Sequence, residues 1–211
     1  KNNYNIKHPL IVTSTRLVKT LQSLNCFNDS EIVSSVLPNP TIKNTQLIID
    51  NLNINYFDAF IAIGGGSIMD TTKALMAVYS TGEKDLQKIL NGQAKYKKKV
   101  FSVFIPTNHG TGSEVTKWGT IWNFDSNTKY SVSDDCLYPN IAILDPSLCL
   151  SLPIDQSVIV TLDALSHSLE SIWSKDSNNQ STDYASKAIV LILDNIEKLK
   201  TDPSNLKFRK N

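Results

Sequence analysis

Along the first half of the chain, short apolar runs alternate with amphipathic stretches. Residues 9–13 (PLIVT), 31–37, 59–63 and 100–105 are continuous enough in Val, Ile, Phe and Leu to read as buried strands. Residues 15–24, 41–53 and 67–79 place apolar positions three and four apart, which predicts helices between those strands. Pro38 and Pro40 separate the second strand from its helix, and Pro106 closes the fourth strand. Repeated strand–helix alternation predicts an α/β fold with a mainly parallel sheet and helices on both faces. From 118 to 144 the pattern changes to short strands with turns, and beyond Pro146 it becomes helical over 153–173 and 182–199. The expected division is a nucleotide-binding α/β domain over 1–150 and the beginning of a helical domain over 151–211.

Ligands of such sheets collect at the carboxyl ends of the strands. Three segments are expected there and would line one crevice: Thr13 and Ser14, the glycine run at 64–67, and residues 106–114. Residues 58–73 read DAFIAIGGGSIMDTTK, a strand running through three glycines into a helix. Bare glycines with positive φ, followed by the free N–H groups of a helix start, suit a bound phosphate. The same letters also suit a tight turn in which Ser67 caps the helix and Asp70 completes an imperfect capping box. Residues 106–116, PTNHGTGSEVT, offer hydroxyls and exposed amides to a diphosphate, or form an ordinary Gly/Thr turn.

Asp163 and His167 stand at i and i+4 in TLDALSHSLESIW and therefore share one helix face. A carboxylate and an imidazole so placed chelate a divalent cation, or simply hydrogen-bond each other. Ala164, Leu165, Leu169 and Ile172 make the helix largely apolar, so a charged Asp163 is expected to be paired or metal-bound. Trp173 is expected in the core.

Composition narrows the classes. With 211 residues and a net charge of +1 the chain has no field favouring nucleic acid or an anionic membrane. The basic run 95–99 reads as a solvated loop. Cys26, Cys136 and Cys149 are odd in number and lack zinc-site spacing, which fits a reducing cytoplasm. No run approaches the roughly 20 apolar residues that span a bilayer. The chain starts without methionine and stops at Asn211 in a polar segment after an amphipathic helix, the pattern of a piece of a longer polypeptide.

Six blocks occur in one order: LIVT, PNPT at 38–41, GGGSxxD at 64–70, PTxxGTGSEVT at 106–116, LDP at 144–146 and DALxHxxE at 163–170. Together they resemble the iron-containing (group III) alcohol dehydrogenases. The resemblance implies a Rossmann-like N-terminal domain and an all-helical C-terminal domain, the dehydroquinate synthase-like fold, with NAD(P) between them. It places Gly65, Gly66, Ser67 and Asp70 on the diphosphate and nicotinamide side. Thr107, Thr111 and Thr116 would form the opposite wall, with Asn108 donating to phosphate or base and Lys129 a further cofactor candidate. Asp163 and His167 match two of four metal ligands and are the catalytic candidates; the other two would be histidines beyond Asn211. A divalent ion, Fe2+ first and Zn2+ as the alternative, would polarise a carbonyl that the nicotinamide reduces. The substrate would be a small aldehyde or alcohol and the enzyme a homo-oligomer.

Two departures from the family pattern stand out. Ser14 replaces an Asp frequent after LIVT in NAD-preferring members, and Arg16 lies nearby, which predicts a modest NADPH preference. Asn108-His109 replaces Thr-Ala, and His109 has no role in the pattern. WGTIWN at 118–123 and the 163–174 block resemble the phosphonoacetaldehyde reductase branch, which forms 2-hydroxyethylphosphonate. Two competing readings are a lyase of the dehydroquinate synthase type, without net redox, and a nucleotide-binding piece without turnover, expected of residues 1–211 alone.

Overall fold

The computed structural model describes residues 4–24, 27 and 30–210; Cys26 lies outside them. The chain forms two compact units, one of Lys1–Pro106 with Ser113–Ile143 and one of Thr107–Gly112 with Leu144–Asn211.

In the first unit, β1 (Pro9–Thr13), β2 (Glu31–Val33), β3 (Ala59–Gly64), β4 (Phe101–Pro106) and β7 (Ile141–Ala142) form one sheet in the order β2-β1-β3-β4-β7. Every neighbouring pair is parallel. All five residues of β1 are buried, as a strand covered on both faces must be. Leu10 and Val12 join one apolar cluster with Phe60, Leu75 and Phe104, while Ile11 joins Leu21 and Ile63 on the other face. Helix α1 (Thr15–Gln22) supplies Leu21, and α2 (Ile42–Asp50) and α3 (Gly66–Thr81) cover the first face. An antiparallel hairpin of β5 (Trp118–Asn123) and β6 (Thr128–Ser133) closes over α3 through Ile121 and Val132.

Several expected boundaries move for local reasons. The strand expected over 31–37 ends at Val33, after which Ser35 makes only an isolated bridge to Ser14. Helix α2 starts after Thr41, whose hydroxyl accepts from Asn44 N–H, and residues 54–56 are a separate 3-10 turn. Helix α3 ends on Gly82, which takes φ +76° and donates to Val78 O. Helix α4 (Leu86–Leu90), capped by Asp85, is invisible in the residue pattern because five residues are too few for a periodic signal. Residues 95–99 run without regular structure, and Lys98 stacks on Tyr79.

The second unit pairs α5 (Ile154–Trp173) with α6 (Asn179–Thr201), whose N-terminus carries a capping box of Asn178 and Ser181. Helix α7 (Leu206–Lys210) returns Arg209 to Ser157 Oγ at 2.6 Å and to Leu152 O at 3.2 Å. Trp173, expected in the core, is 69% exposed on the last turn of α5. Among the described residues no helix is long and apolar enough to cross a membrane.

Candidate functional site

The strand order reverses direction between β1 and β3, the position at which open α/β sheets present ligand crevices. Thr13 Oγ1 donates to Ile63 O at 2.8 Å and locks the two strand ends in register. Ser14 follows β1 directly, with no side-chain capping bond, and Gly65 and Gly66 follow β3. The N–H groups of Ile68 and Met69 both donate to Gly65 O, so those of Gly66 and Ser67 have no intrahelical acceptor. With the dipole of a sixteen-residue helix behind them, they are suited to an anion.

Two local expectations are corrected here. None of the three glycines takes positive φ. Gly64 is instead required for space, since a Cβ there would lie 2.5 Å from Ile68 Cγ1. Ser67 is not the cap, because the helix starts one residue earlier with Gly65 as its N-cap. The Ser67 hydroxyl accepts from Asn39 N–H at 3.1 Å, tying the 38–41 turn to the glycine corner and leaving the Ser67 O–H hydrogen for another acceptor.

Behind this corner lies a buried charge network. Lys73 is 0% exposed and directs Nζ at Ser113 O (2.7 Å), Ser113 Oγ (2.9 Å), Thr116 Oγ1 (3.1 Å) and Trp118 O (2.7 Å). Ser113 Oγ in turn donates to Asp70 Oδ1 at 3.3 Å. Burial pushes the Asp70 carboxyl up to about 6, opposed by Lys73, the Thr120 backbone and Ser113. Burial pulls the Lys73 ammonium down to about 8, opposed by Asp70 and Glu114. Gly119 lets the hairpin approach this helix: a Cβ would stand 3.0 Å from Lys73 Cβ and 3.1 Å from Asp70 O.

In the second unit, Asp163 and His167 project from one face of α5 with Nε2 and Oδ1 3.7 Å apart. Their side chains are 43% and 52% exposed, so Asp163 faces His167 with part of its carboxylate still open to solvent. His167 Nδ1 lies 3.3 Å from Gly110 O. A carbonyl only accepts, so Nδ1 donates in this contact, and in the neutral form of the ring Nε2 would carry the lone pair on the Asp163 side. That tautomer is the one a cation requires, and a backbone carbonyl on the other ring nitrogen is the usual way of fixing it. Two ligands of a tetrahedral ion at 2.0–2.1 Å stand about 3.4 Å apart, close to the separation seen. The pair therefore fits a divalent cation. Among the described residues no group of three or more His, Cys, Asp and Glu is placed to hold a metal, so these two alone would not complete a ligand set.

The sequence pattern of iron-containing alcohol dehydrogenases matches residues 1–146. The chain belongs to the iron-containing alcohol dehydrogenase family. It is 33% identical over 178 residues to aldehyde-alcohol dehydrogenase 2 of Entamoeba histolytica, covering 80% of this chain and 20% of that protein. It is 30% identical over 212 residues to long-chain-alcohol dehydrogenase 1 of Geobacillus thermodenitrificans, covering 96% and 53%. Among solved structures, sulfoacetaldehyde reductase of Bifidobacterium kashiwanohense in complex with NAD+ superposes with a TM-score of 0.89 at 25% identity, covering 99% of this chain and 57% of that one. The NADH-dependent butanol dehydrogenase of Thermotoga maritima gives 0.86 at 27%, covering 99% and 54%. The chain thus spans between a fifth and a little over half of these relatives' length.

Within this iron-containing alcohol dehydrogenase chain, the fold brings Ser14, Gly65, Gly66 and Ser67 to neighbouring strand ends and Asp163 to His167. Thr107, Asn108 and Thr111 fall in the segment that belongs to the second unit. Thr116 is engaged by Lys73, and Asp70 faces Ser113 and Thr120. Lys129 is exposed on β6, with Nζ 5.7 Å from the Trp122 ring. Lys73 was missed by sequence reasoning. Its signal was a lysine three residues after Asp70 in a helix otherwise buried along nearly its whole length, where a charge needs fixed partners.

Proposed function

We propose that the whole polypeptide is a metal-dependent, NAD(P)-linked alcohol dehydrogenase or aldehyde reductase. The observation that carries the reading is the placement of His167 Nε2 3.7 Å from Asp163 Oδ1 on one face of α5, with His167 Nδ1 engaged by the Gly110 carbonyl. Supporting it are the family membership and the anion-ready start of α3 at the strand-order reversal.

The N–H groups of Gly66 and Ser67 and the Ser67 hydroxyl would bind the cofactor diphosphate. Thr107, Asn108 and Thr111 add donors for the cofactor, and Asp70 would orient its nicotinamide end. Asp163 Oδ1 and His167 Nε2 would hold Fe2+, or Zn2+ in its place, by one carboxylate and one imidazole donor. Such an ion supplies Lewis acidity at a carbonyl or alcohol oxygen, and the nicotinamide supplies or takes the hydride. Gly110 O holds the imidazole in its metal-ready form. Ser14 leaves room for a 2′-phosphate that a carboxylate would repel, and exposed Arg16 is available to pair with it, so NADPH is modestly preferred.

The substrate is assigned to small aldehydes, with phosphonoacetaldehyde the specific choice. WGTIWN and DALSHSLESIWS support it, and so does the likeness to a reductase whose own substrate, sulfoacetaldehyde, also carries an anionic group beside a two-carbon aldehyde. The test assays the whole polypeptide, loaded with Fe2+ or Zn2+, against phosphonoacetaldehyde and propanal while following NADPH and NADH. Consumption with phosphonoacetaldehyde is expected, and activity confined to unphosphonylated aldehydes would refute that choice. Residues 1–211 alone are expected to bind NADPH without turnover.

A further inference from the structure

Residues 107–112 form a strap that the second unit holds against α5. Two of its residues touch that helix in ways that fix hydrogen positions. His109 Nε2 lies 2.8 Å from Thr161 Oγ1, and the same hydroxyl donates its hydrogen to Ser157 O at 2.7 Å. A hydroxyl has one hydrogen, so Nε2 must donate in the first contact and His109 is the Nε2–H tautomer. Burial and the Arg209 guanidinium hold the His109 pKa below its usual value, which keeps the ring neutral. Its Nδ1 is buried without a hydrogen-bond partner, a cost that a leucine or phenylalanine filling the same space would not carry.

The next residue completes the strap. Gly110 has φ +115°, and a Cβ there would overlap the Val160 carbonyl, so only glycine lets the backbone lie on the helix at this point. Its own carbonyl then meets His167 Nδ1. The two histidines are thus opposite tautomers, linked through one peptide unit and one helix.

We propose that His109 is a positioning residue: by donating from Nε2 to Thr161 it pins the strap on α5, so that Gly110 O stays against His167 and keeps the His167 Nε2 lone pair directed at Asp163. This latch rests on the metal-ligand reading of His167, and its test separates the two.

The chain has three histidines, so their ring nitrogens are readily distinguished by 15N NMR. In the unsubstituted chain at neutral pH, His109 should appear as Nε2–H and His167 as Nδ1–H. His109→Ala should relax His167 to a mixture of tautomers and, in the whole polypeptide, weaken Zn2+ binding, read by calorimetry, about tenfold. His109→Gln, whose amide reaches the same hydroxyl, should restore both. Thr161→Val should act like His109→Ala and Thr161→Ser like the unsubstituted chain, which decides the matter if His109→Ala fails to fold. An unchanged His167 tautomer in both His109→Ala and Thr161→Val overturns the proposal, as does a His109→Gln no better than the alanine. If the whole polypeptide binds no Zn2+ while the tautomer still responds to His109→Ala, the latch stands and the metal reading falls. Normal Zn2+ binding in every variant, with the tautomer unmoved, overturns the latch and leaves the metal reading in place.

Discussion

Lys73 Nζ donates to the Trp118 carbonyl at 2.7 Å, which bonds the helix behind the glycine corner to the first residue of the hairpin that covers it. An ammonium with no solvent exposure persists only because carbonyls, hydroxyls and a nearby carboxylate surround it. Lys73→Met would leave those acceptors and Asp70 without their partner. The expected cost is about 3–5 kcal/mol, measured by urea unfolding, with little rescue by the longer, forked Lys73→Arg. A methionine variant within about 1 kcal/mol of the parent would show that the network contributes no net stability.

The same network sets a pH dependence. Between its ordinary 3.8 and its native value near 6, Asp70 is protonated when folded and ionised when unfolded, so stability falls as pH rises through that window. Lys73, with a native value near 8 and an ordinary 10.5, is deprotonated when folded and charged when unfolded over the interval between, so stability rises with pH there. The pair thus places a shallow minimum between about pH 6 and pH 8. Comparing the chain with Asp70→Asn by chemical denaturation at about pH 4.5 and about pH 6.5 should show a relative loss on the order of 2 kcal/mol at the higher value. A relative gain at the higher pH would mean that the Asp70 carboxyl is held below its ordinary value rather than above it.

Close approach rather than turn conformation makes two glycines necessary. Gly64→Ala drives a Cβ into Ile68, and Gly119→Ala drives one between Lys73 and Val132. Each should cost about 1–3 kcal/mol. Gly119→Ala should also loosen the Lys73 network, so its amide-exchange protection should fall at Trp118 and Thr120 before it falls in β1.

Cofactor preference should follow Ser14. Ser14→Asp restores a carboxylate at the end of β1 and repels a 2′-phosphate, so binding of NADPH relative to NADH should drop about tenfold, or about 1.4 kcal/mol. Fluorescence titration of both nucleotides reads this directly. Equal affinities before and after substitution would remove the 2′-phosphate from this position.

Much of the fold was legible because the first unit is built from contiguous, strongly patterned segments. PLIVT is buried throughout and AFIAI nearly so, while FSVFI alternates between buried and half-buried positions. What escaped was either short or non-local. Leu86–Leu90 is under two turns, and the early end of β2 reflects pairing that stops at Val33 rather than any change in residue type. Trp173 looked like a core residue because size and apolarity do not say which side of a helix is covered. At the candidate site, spacing revealed the Asp163–His167 pair, but the Gly110 carbonyl that sets the histidine tautomer lies 57 residues away in sequence. The role of Lys73 was hidden likewise, since its partners at Ser113 and Trp118 follow 40 and 45 residues later.

The polypeptide passes between the two units at Pro106–Thr107, Gly112–Ser113 and Ile143–Leu144, so neither can be excised as one uninterrupted stretch. A fragment starting at Leu144 would carry Asp163 and His167 but leave Gly110 behind, freeing the imidazole to exchange its hydrogen between nitrogens. Any attempt to graft or minimise this helix pair must therefore bring along six residues, Thr107–Gly112, from the middle of the preceding sheet sequence.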